Sequence, residues 1–457
     1  MTEVSGPVTG GAHGWAFSLP MFELDTIDCV AEEFFLEGTA TAYGAAPGSE
    51  LGVDGAWDVE PSREAPFRTR MLVVRPRDAA RFNGVVHVNW QNVTAGFEIG
   101  APDAELLTDG CAWVGVSAQR VGVEGMPGTE RFALRGWDPD RYSALQHPGD
   151  DFSFDMYTQA ARAVTPSTLG GLEPRILVAT GGSQSAMRLR TYANAVQPLE
   201  RVFDAFWIFV DFGRGSVPDT TDVDAAAVPM GILPAVPVRI RDDLGAPAFV
   251  FNTETEASSL FPVRQPDTDL LRLWEVTGTC HVGGVASQAE MMAPLVVRDG
   301  IEFGLSGGDA PALVAEDPNV LSFAPARRAA IHHFQRWITG GPPPPAQPRI
   351  EFEDGDPPTI RRDRFGNALG GIRLPDFDVP TGVHTGTRDG DVLLSLIGST
   401  RPFTPEQLAE LYPDRESYLA RWYASLDRGL EAGYILDDDA PAMKALADES
   451  AAVVFPK

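Results

Sequence analysis

Apolar positions in this chain come in short bursts, each followed by a polar or glycine-rich stretch and then by a run of helical spacing. "GVVHVNW" (84–90), "AWVGVSA" (112–118) and "RILVAT" (175–180) are brief and rich in β-branched residues, which marks buried strands. "FDMYTQAARAV" (154–164) and "AMRLRTYANAV" (186–196) repeat their apolar positions at helical spacing. Strand-then-helix order, repeated, predicts the α/β class: a mainly parallel central sheet flanked by helices on both faces. Upstream, "TIDCVAEEFFLEGTATAY" and "FRTRMLVVRP" read as strands separated by a Gly/Pro-rich turn region, the second stopped by proline. Downstream, "VFDAFWIFV" (202–210), "APAFVFNT" (246–253) and "LRLWEVTG" (271–278) extend the sheet.

The helix "APARRAAIHHFQRWI" (324–338) stops at "TGGPPPPAQP", a natural boundary. The expected organisation is therefore a core over residues 1–340, with an insertion at about 213–246, and a C-terminal extension over 341–457. That extension contains the helical stretches "TPEQLAELY" and "RESYLARWYASLDRGLEAG", but residues 350–400 have no apolar core of their own, so it is expected to pack on the core. No internal repeat is visible.

Composition narrows the function classes. The 457 residues are 44% hydrophobic and 22% charged, an ordinary globular profile. A formal charge of −28 disfavours nucleic acid and anionic membrane surfaces, which it would repel. Cys29, Cys111 and Cys280 are too few and scattered for a disulfide framework or a thiolate metal site, so a reducing compartment and no metal or other cofactor are expected. The N-terminus lacks the basic and apolar regions of a signal peptide, and no stretch stays apolar for the ~18 residues of a membrane span. A cytoplasmic location is the expectation.

The chemistry begins at "RILVATGGSQSAMRLR" (175–190), where a strand runs straight through two glycines and a serine into a helix. Such a corner is the geometry of a nucleophile elbow, in which a serine on a strained strand-to-helix turn projects its Oγ above the sheet edge. Ser183 takes that place, and Ser185 stands where Gly-x-Ser-x-Gly has its second glycine. A serine nucleophile needs a histidine base and an acid that orients it, in the chain order Ser, Asp/Glu, His. His281, in "TGTCHV" after the strand 271–278, sits where the base belongs, whereas His332 and His333 lie in a helix, His384 in the tail and His87 within a strand. The acid lies in "TETEAS": Glu256 is preferred, because it lies further past the strand end, and Glu254 is the alternative. Oxyanion donors would be the backbone amides of Gln184, after the nucleophile, and of Gln91 with neighbouring Asn92 in "WQNVTAG". Trp90, Trp207, Phe212 and, in the insertion, Met230 and Leu233 are candidate pocket walls favouring an apolar group.

With these residues in place the sequence resembles the α/β-hydrolases, and more narrowly a bacterial family known as the alpha/beta hydrolase domain. The resemblance rests on "FNGVVHVNWQNVTAG", "AWVGVSAQRVGV", "GGSQSAMRLRTY", "FNTETEA", "RLWEVTGTCHV", "GNALGGIRLPDFDVP", "STRPFTPEQLAELYP" and "EAGYILDDDA", spread over nearly the whole chain. It implies the α/β-hydrolase fold, in which the insertion takes the position of a lid, and accounts for Ser185, since the family carries serine two residues after the nucleophile. An acidic residue at the position of Glu256 also fits the family pattern, while Asn89 stands where the family often has an acid. The implied activity is serine esterase chemistry on a small-molecule ester. An acyltransferase using the same triad, or a binding protein on a hydrolase fold, are the competing classes, and homo-oligomerisation is left open.

Overall fold

The computed structural model describes residues 2–20, 22–219, 234–284, 293–301, 317–389 and 395–455. Met230 and Leu233 lie outside the described residues, with the rest of 220–233 in the expected insertion. The chain divides into two compact units: one of residues 1–248, 263–265 and 292–309, the other of residues 249–262, 266–291 and 310–457.

The first unit is built on strands β1 (Glu3–Ser5), β2 (Cys29–Ala45), β3 (Val59–Pro76), β4 (Val85–Trp90), β5 (Ala112–Val116), β6 (Ile176–Gly182) and β7 (Ala205–Phe209). Their order in the sheet is β1-β2-β3-β5-β4-β6-β7. The pairings β4–β5, β4–β6 and β6–β7 are parallel, whereas β1–β2, β2–β3 and β3–β5 are antiparallel. The parallel strands are apolar on both faces: Val85, Val86, Val88, Val114, Val116, Val178, Ala179, Phe206 and Ile208 are all buried. Continuous burial of this kind follows from helices covering the sheet. The helices Ser153–Arg162 and Gln184–Thr191 supply cover, and almost every residue of both is buried.

A short antiparallel ribbon of β8 (Arg214–Ser216) and β9 (Ala235–Pro237) lies within the expected insertion. This stretch is tied to the helix after the elbow: Thr191 Oγ1 donates to Ser216 O at 2.7 Å and Arg190 Nη1 to Val238 O at 2.7 Å.

In the second unit, β10 (Ala248–Thr253) runs into the helix Glu254–Leu260, and β11 (Leu271–Val276) into a turn that carries His281. The helix Ala324–Ile338 buries Ala326, Ala330, Phe334 and Trp337 along one stripe, with Phe334 against Phe249 of β10. Residues beyond 340 are woven into this unit: Thr277 N donates to Ile372 O and Ile372 N to Glu275 O, which continues β11 by one more backbone partner. Small antiparallel pairs β12 (Phe352–Glu353) with β13 (Thr359–Ile360) and β14 (Gly382–Thr385) with β15 (Ser399–Pro402) follow. Helices Arg415–Ala432 and Ala440–Val454 complete the unit. Among the described residues no helix is long and apolar enough to cross a membrane.

Candidate active site

The elbow lies in the first unit. Ser183 directly follows β6 and caps the next helix with φ 60° and ψ −120°. Such a backbone is costly for any residue with a Cβ and persists only where the surroundings enforce it. The enforcement is visible on both sides. Ser183 N donates to Phe209 O of β7 at 3.0 Å, and its carbonyl accepts the first turn of the helix from Met187 N at 3.3 Å. A Cβ on Gly181 would stand 3.0 Å from Ser185 Cβ, and one on Gly182 would stand 3.0 Å from the Phe209 ring, so a larger residue at either position would force its neighbour to shift. Ser185 is likewise small and fully buried, which suits the close approach of the helix to the strand.

Gln184, the expected donor after Ser183, is the first residue of the helix. The other expected donors are corrected by the structure. Gln91 N is spent on Val116 O and Asn92 N on Ile99 O, both at 3.2 Å, so neither amide faces a ligand. Instead the Asn92 side chain donates to Gly182 O at 3.1 Å, tying the loop after β4 to the elbow. The next residue, Val93, is buried, and its amide has no acceptor among the described residues. A buried backbone donor without an acceptor is rare in a folded protein. The sequence expectation missed Val93 because a valine side chain carries no chemical signal; only the accounting of backbone bonds finds it.

Asn89 lies beneath this loop, with Nδ2 donating to Gln91 Oε1 at 2.8 Å and Oδ1 accepting from Thr180. Trp90 is buried between Arg188, Phe154 and Tyr157 with its Nε1 on Gln119 Oε1 at 3.0 Å. Trp207 is buried within β7, and Phe212, just past that strand, is half-buried.

The expected acid and base lie in the second unit. Thr253 is the N-cap of the helix Glu254–Leu260, and the run Thr253-Glu254-Thr255-Glu256 forms a capping box, the Glu at the third helical position reaching back to the cap amide. Glu256 Oε2 accepts from Thr253 N at 2.8 Å and from Thr253 Oγ1 at 2.7 Å. Its Oε1 is thereby aimed at His281, whose Nδ1 lies 2.6 Å away. The Glu256 side chain is fully buried and that of His281 is 8% exposed. Glu254, the alternative, turns elsewhere: Oε1 accepts from Arg362 Nη2 and Oε2 from Gly278 N, each at 2.8 Å. The capping-box spacing T-x-x-E was the signal in the sequence that separates the two glutamates.

Among the described residues no group of three or more His, Cys, Asp or Glu is placed to hold a metal ion. Cys29, Cys111 and Cys280 are free and buried. Burial pushes all three thiols up from their ordinary range, Cys111 to about 12.

The sheet, the elbow and the whole length of the sequence converge on one family: a model described as "Alpha/beta hydrolase domain" matches residues 4–445. The chain belongs to this family. Among solved structures, the alpha/beta hydrolase is similar to a prolyl endopeptidase at 12% identity, over 56% of this chain and 41% of that one, with a TM-score of 0.26. It is similar to esterase Est22 at 11% identity, over 60% of this chain and 78% of that one, with a TM-score of 0.30. Oligopeptidase B from Trypanosoma brucei matches at 12% identity, over 55% of this chain and 34% of that one, with a TM-score of 0.27. The alpha/beta hydrolase thus spans less than half the length of either peptidase. No curated protein matches it.

Proposed function

We propose that this alpha/beta hydrolase is a serine hydrolase that cleaves carboxylic esters through an acyl-enzyme. The observation that carries the reading is the backbone of Ser183, held at φ 60° at a strand-to-helix corner, a costly conformation for a residue with a Cβ. The 2.6 Å contact between Glu256 and His281 supports it, because a buried carboxylate on Nδ1 leaves Nε2 as the proton-accepting nitrogen.

In this mechanism Ser183 Oγ attacks the ester carbonyl while His281 Nε2 takes the hydroxyl proton. The negative charge on the carbonyl oxygen is received by the amides of Gln184 and Val93. Collapse of the tetrahedral species expels the alcohol, protonated by His281, and leaves Ser183 acylated. Water then repeats the sequence, with His281 again as base, and releases the carboxylic acid. Glu256 orients the imidazole and stabilises its cationic form throughout. Each oxyanion donor contributes about 3 to 4 kcal/mol to the transition state in enzymes of this kind. Apolar residues in the insertion sequence, Met230, Ile232 and Leu233, favour a small to medium apolar ester.

Hydrolysis of p-nitrophenyl esters of increasing acyl length, by wild type and Ser183→Ala, tests the proposal. The expected result is turnover with a chain-length optimum and its loss in the variant. Equal turnover by both proteins would overturn it. Product analysis with added alcohol separates hydrolysis from acyl transfer.

A further inference from the structure

Three carbonyl or side-chain groups from beyond residue 316 end on the two short segments that hold Glu256 and His281. Thr255 Oγ1 accepts the backbone N–H of His281 at 2.9 Å and donates its one proton to Gly386 O at 2.5 Å. Arg362 Nη2 donates to Glu254 Oε1 while Glu254 Oε2 receives Gly278 N, each at 2.8 Å. Asn319 Nδ2 donates to Gly278 O at 2.7 Å and to Thr385 O at 2.9 Å. Glu254 N donates to Thr279 O at 3.2 Å, closing the mesh between the helix start and the histidine turn. Thr255, Glu254 and Asn319 are all buried, so each bond is made in place of water.

The packing allows no slack. A Cβ on Gly386 would stand 2.6 Å from Glu254 Cβ and 2.7 Å from both Thr255 N and Thr279 O, so its backbone lies directly on both segments. Gly278 turns with φ 76°, and a Cβ there would penetrate the Phe377 ring at 2.1 Å. Resting on the serine-hydrolase reading above, we propose that the C-terminal segment is a positioning clamp for His281, acting through Thr255 at the histidine amide and through Arg362–Glu254 at the turn before it. Thr255, Glu254 and Arg362 are positioning residues: none is assigned contact with substrate. The Thr255 hydroxyl is the most informative link, because it is bonded to both the histidine backbone and the C-terminal segment. Without it His281 N and Gly386 O are left buried and unpaired, and the imidazole is free to shift against Glu256.

The test is steady-state hydrolysis of a p-nitrophenyl ester by Thr255→Val, which keeps the shape and removes the hydroxyl, and by Thr255→Ser, which restores it. Misplacement of a catalytic group by about 1 Å costs on the order of 100-fold, so kcat of Thr255→Val should fall about 10- to 100-fold, with KM unchanged. Thr255→Ser should recover most of it. The low-field proton resonance of the His281–Glu256 bond should broaden in Thr255→Val and return in Thr255→Ser. A folded Thr255→Val with wild-type kcat, or a serine variant as impaired as the valine one, would overturn the proposal. Should Thr255→Val fail to fold, Arg362→Gln, at a partly exposed side chain, decides in the same way: lower kcat at constant KM supports the clamp, and unchanged kcat overturns it. Ser183→Ala is run alongside; its retained turnover would instead overturn the serine-hydrolase reading, and the two failures are thereby distinct.

Discussion

Ser183 stores strain that its helix and sheet neighbours enforce, and strain of this kind is measurable. Replacing it by glycine removes the positive-φ penalty, whereas replacing it by alanine keeps it. Ser183→Gly is therefore expected to be more stable than Ser183→Ala by about 1 to 3 kcal/mol in chemical denaturation, although both lose turnover. Equal stabilities would mean the corner is relaxed. The two glutamates of "TETE" make a second residue-scale contrast. Glu256→Gln keeps the capping geometry but fixes the wrong tautomer on His281, and kcat should drop about 10³- to 10⁴-fold. Glu254→Gln breaks the ion pair with Arg362 instead, and its effect on kcat should be far smaller. A reversed ranking would make Glu254 the acid. The corner at Ser183 and the contact between Glu256 and His281 involve residues the sequence had singled out, by small residues around the corner, a turn after a strand and a position past a strand end, while the T-x-x-E spacing that separates the two glutamates went unread. The Val93 amide left no local trace, since backbone bonding depends on which strands lie alongside.

At the scale of elements, the short apolar strands and long amphipathic helices stood out from periodicity alone, and the helix Ala324–Ile338 matches its expected bounds. The helix Ala440–Val454 was not anticipated. Its buried stripe is Ala440, Met443, Ala447 and Ala451, and alanine carries too little apolar weight to mark a face by pattern. Equally hidden was the charged cluster between β2 and β3. Arg70, fully buried on β3, donates to Glu33 of β2 and lies 2.8 Å from Glu98, while Arg141 reaches Glu33 at 2.6 Å and Tyr142 donates to Glu33 at 2.8 Å. These partners come from four distant stretches, so no window of sequence shows them together. Arg70→Met would leave Glu33 and Glu98 buried with fewer cations to face, and such a break costs about 3 to 5 kcal/mol. A thermal or denaturant midpoint close to that of wild type would show that the cluster relaxes without cost.

For the whole molecule, the α/β class followed from repeated strand-helix pairs, while the strand order and the interleaving of two compact units did not, because they depend on contacts between residues far apart in the chain. The charge of −28 and four histidines, His87, His147 and His384 buried and His333 half-buried, whose desolvation outweighs their favourable neighbours, set the response to acid. Desolvation lowers His87 to about 3 and His384 to about 4, and lowers His147 and His333 in the same direction. Each is neutral when folded but gains a proton below about pH 6.5 once unfolded. Stability from these groups is therefore fully present above about pH 6.5 and is lost as pH falls towards 4 and then 3. The depressed His384 accounts for on the order of 3 kcal/mol of that loss. Denaturation midpoints between pH 7.5 and 4.5 should fall steadily for wild type and less steeply for His384→Phe; parallel curves would contradict the assignment.

The central claim is that Ser183 is the nucleophile, and fluorophosphonate labelling with peptide mass spectrometry tests it most directly. One equivalent of adduct on Ser183, absent from Ser183→Ala and slow to form in His281→Ala, is the predicted result. Ester turnover that survives in Ser183→Ala, with the label on another residue or on none, would contradict it.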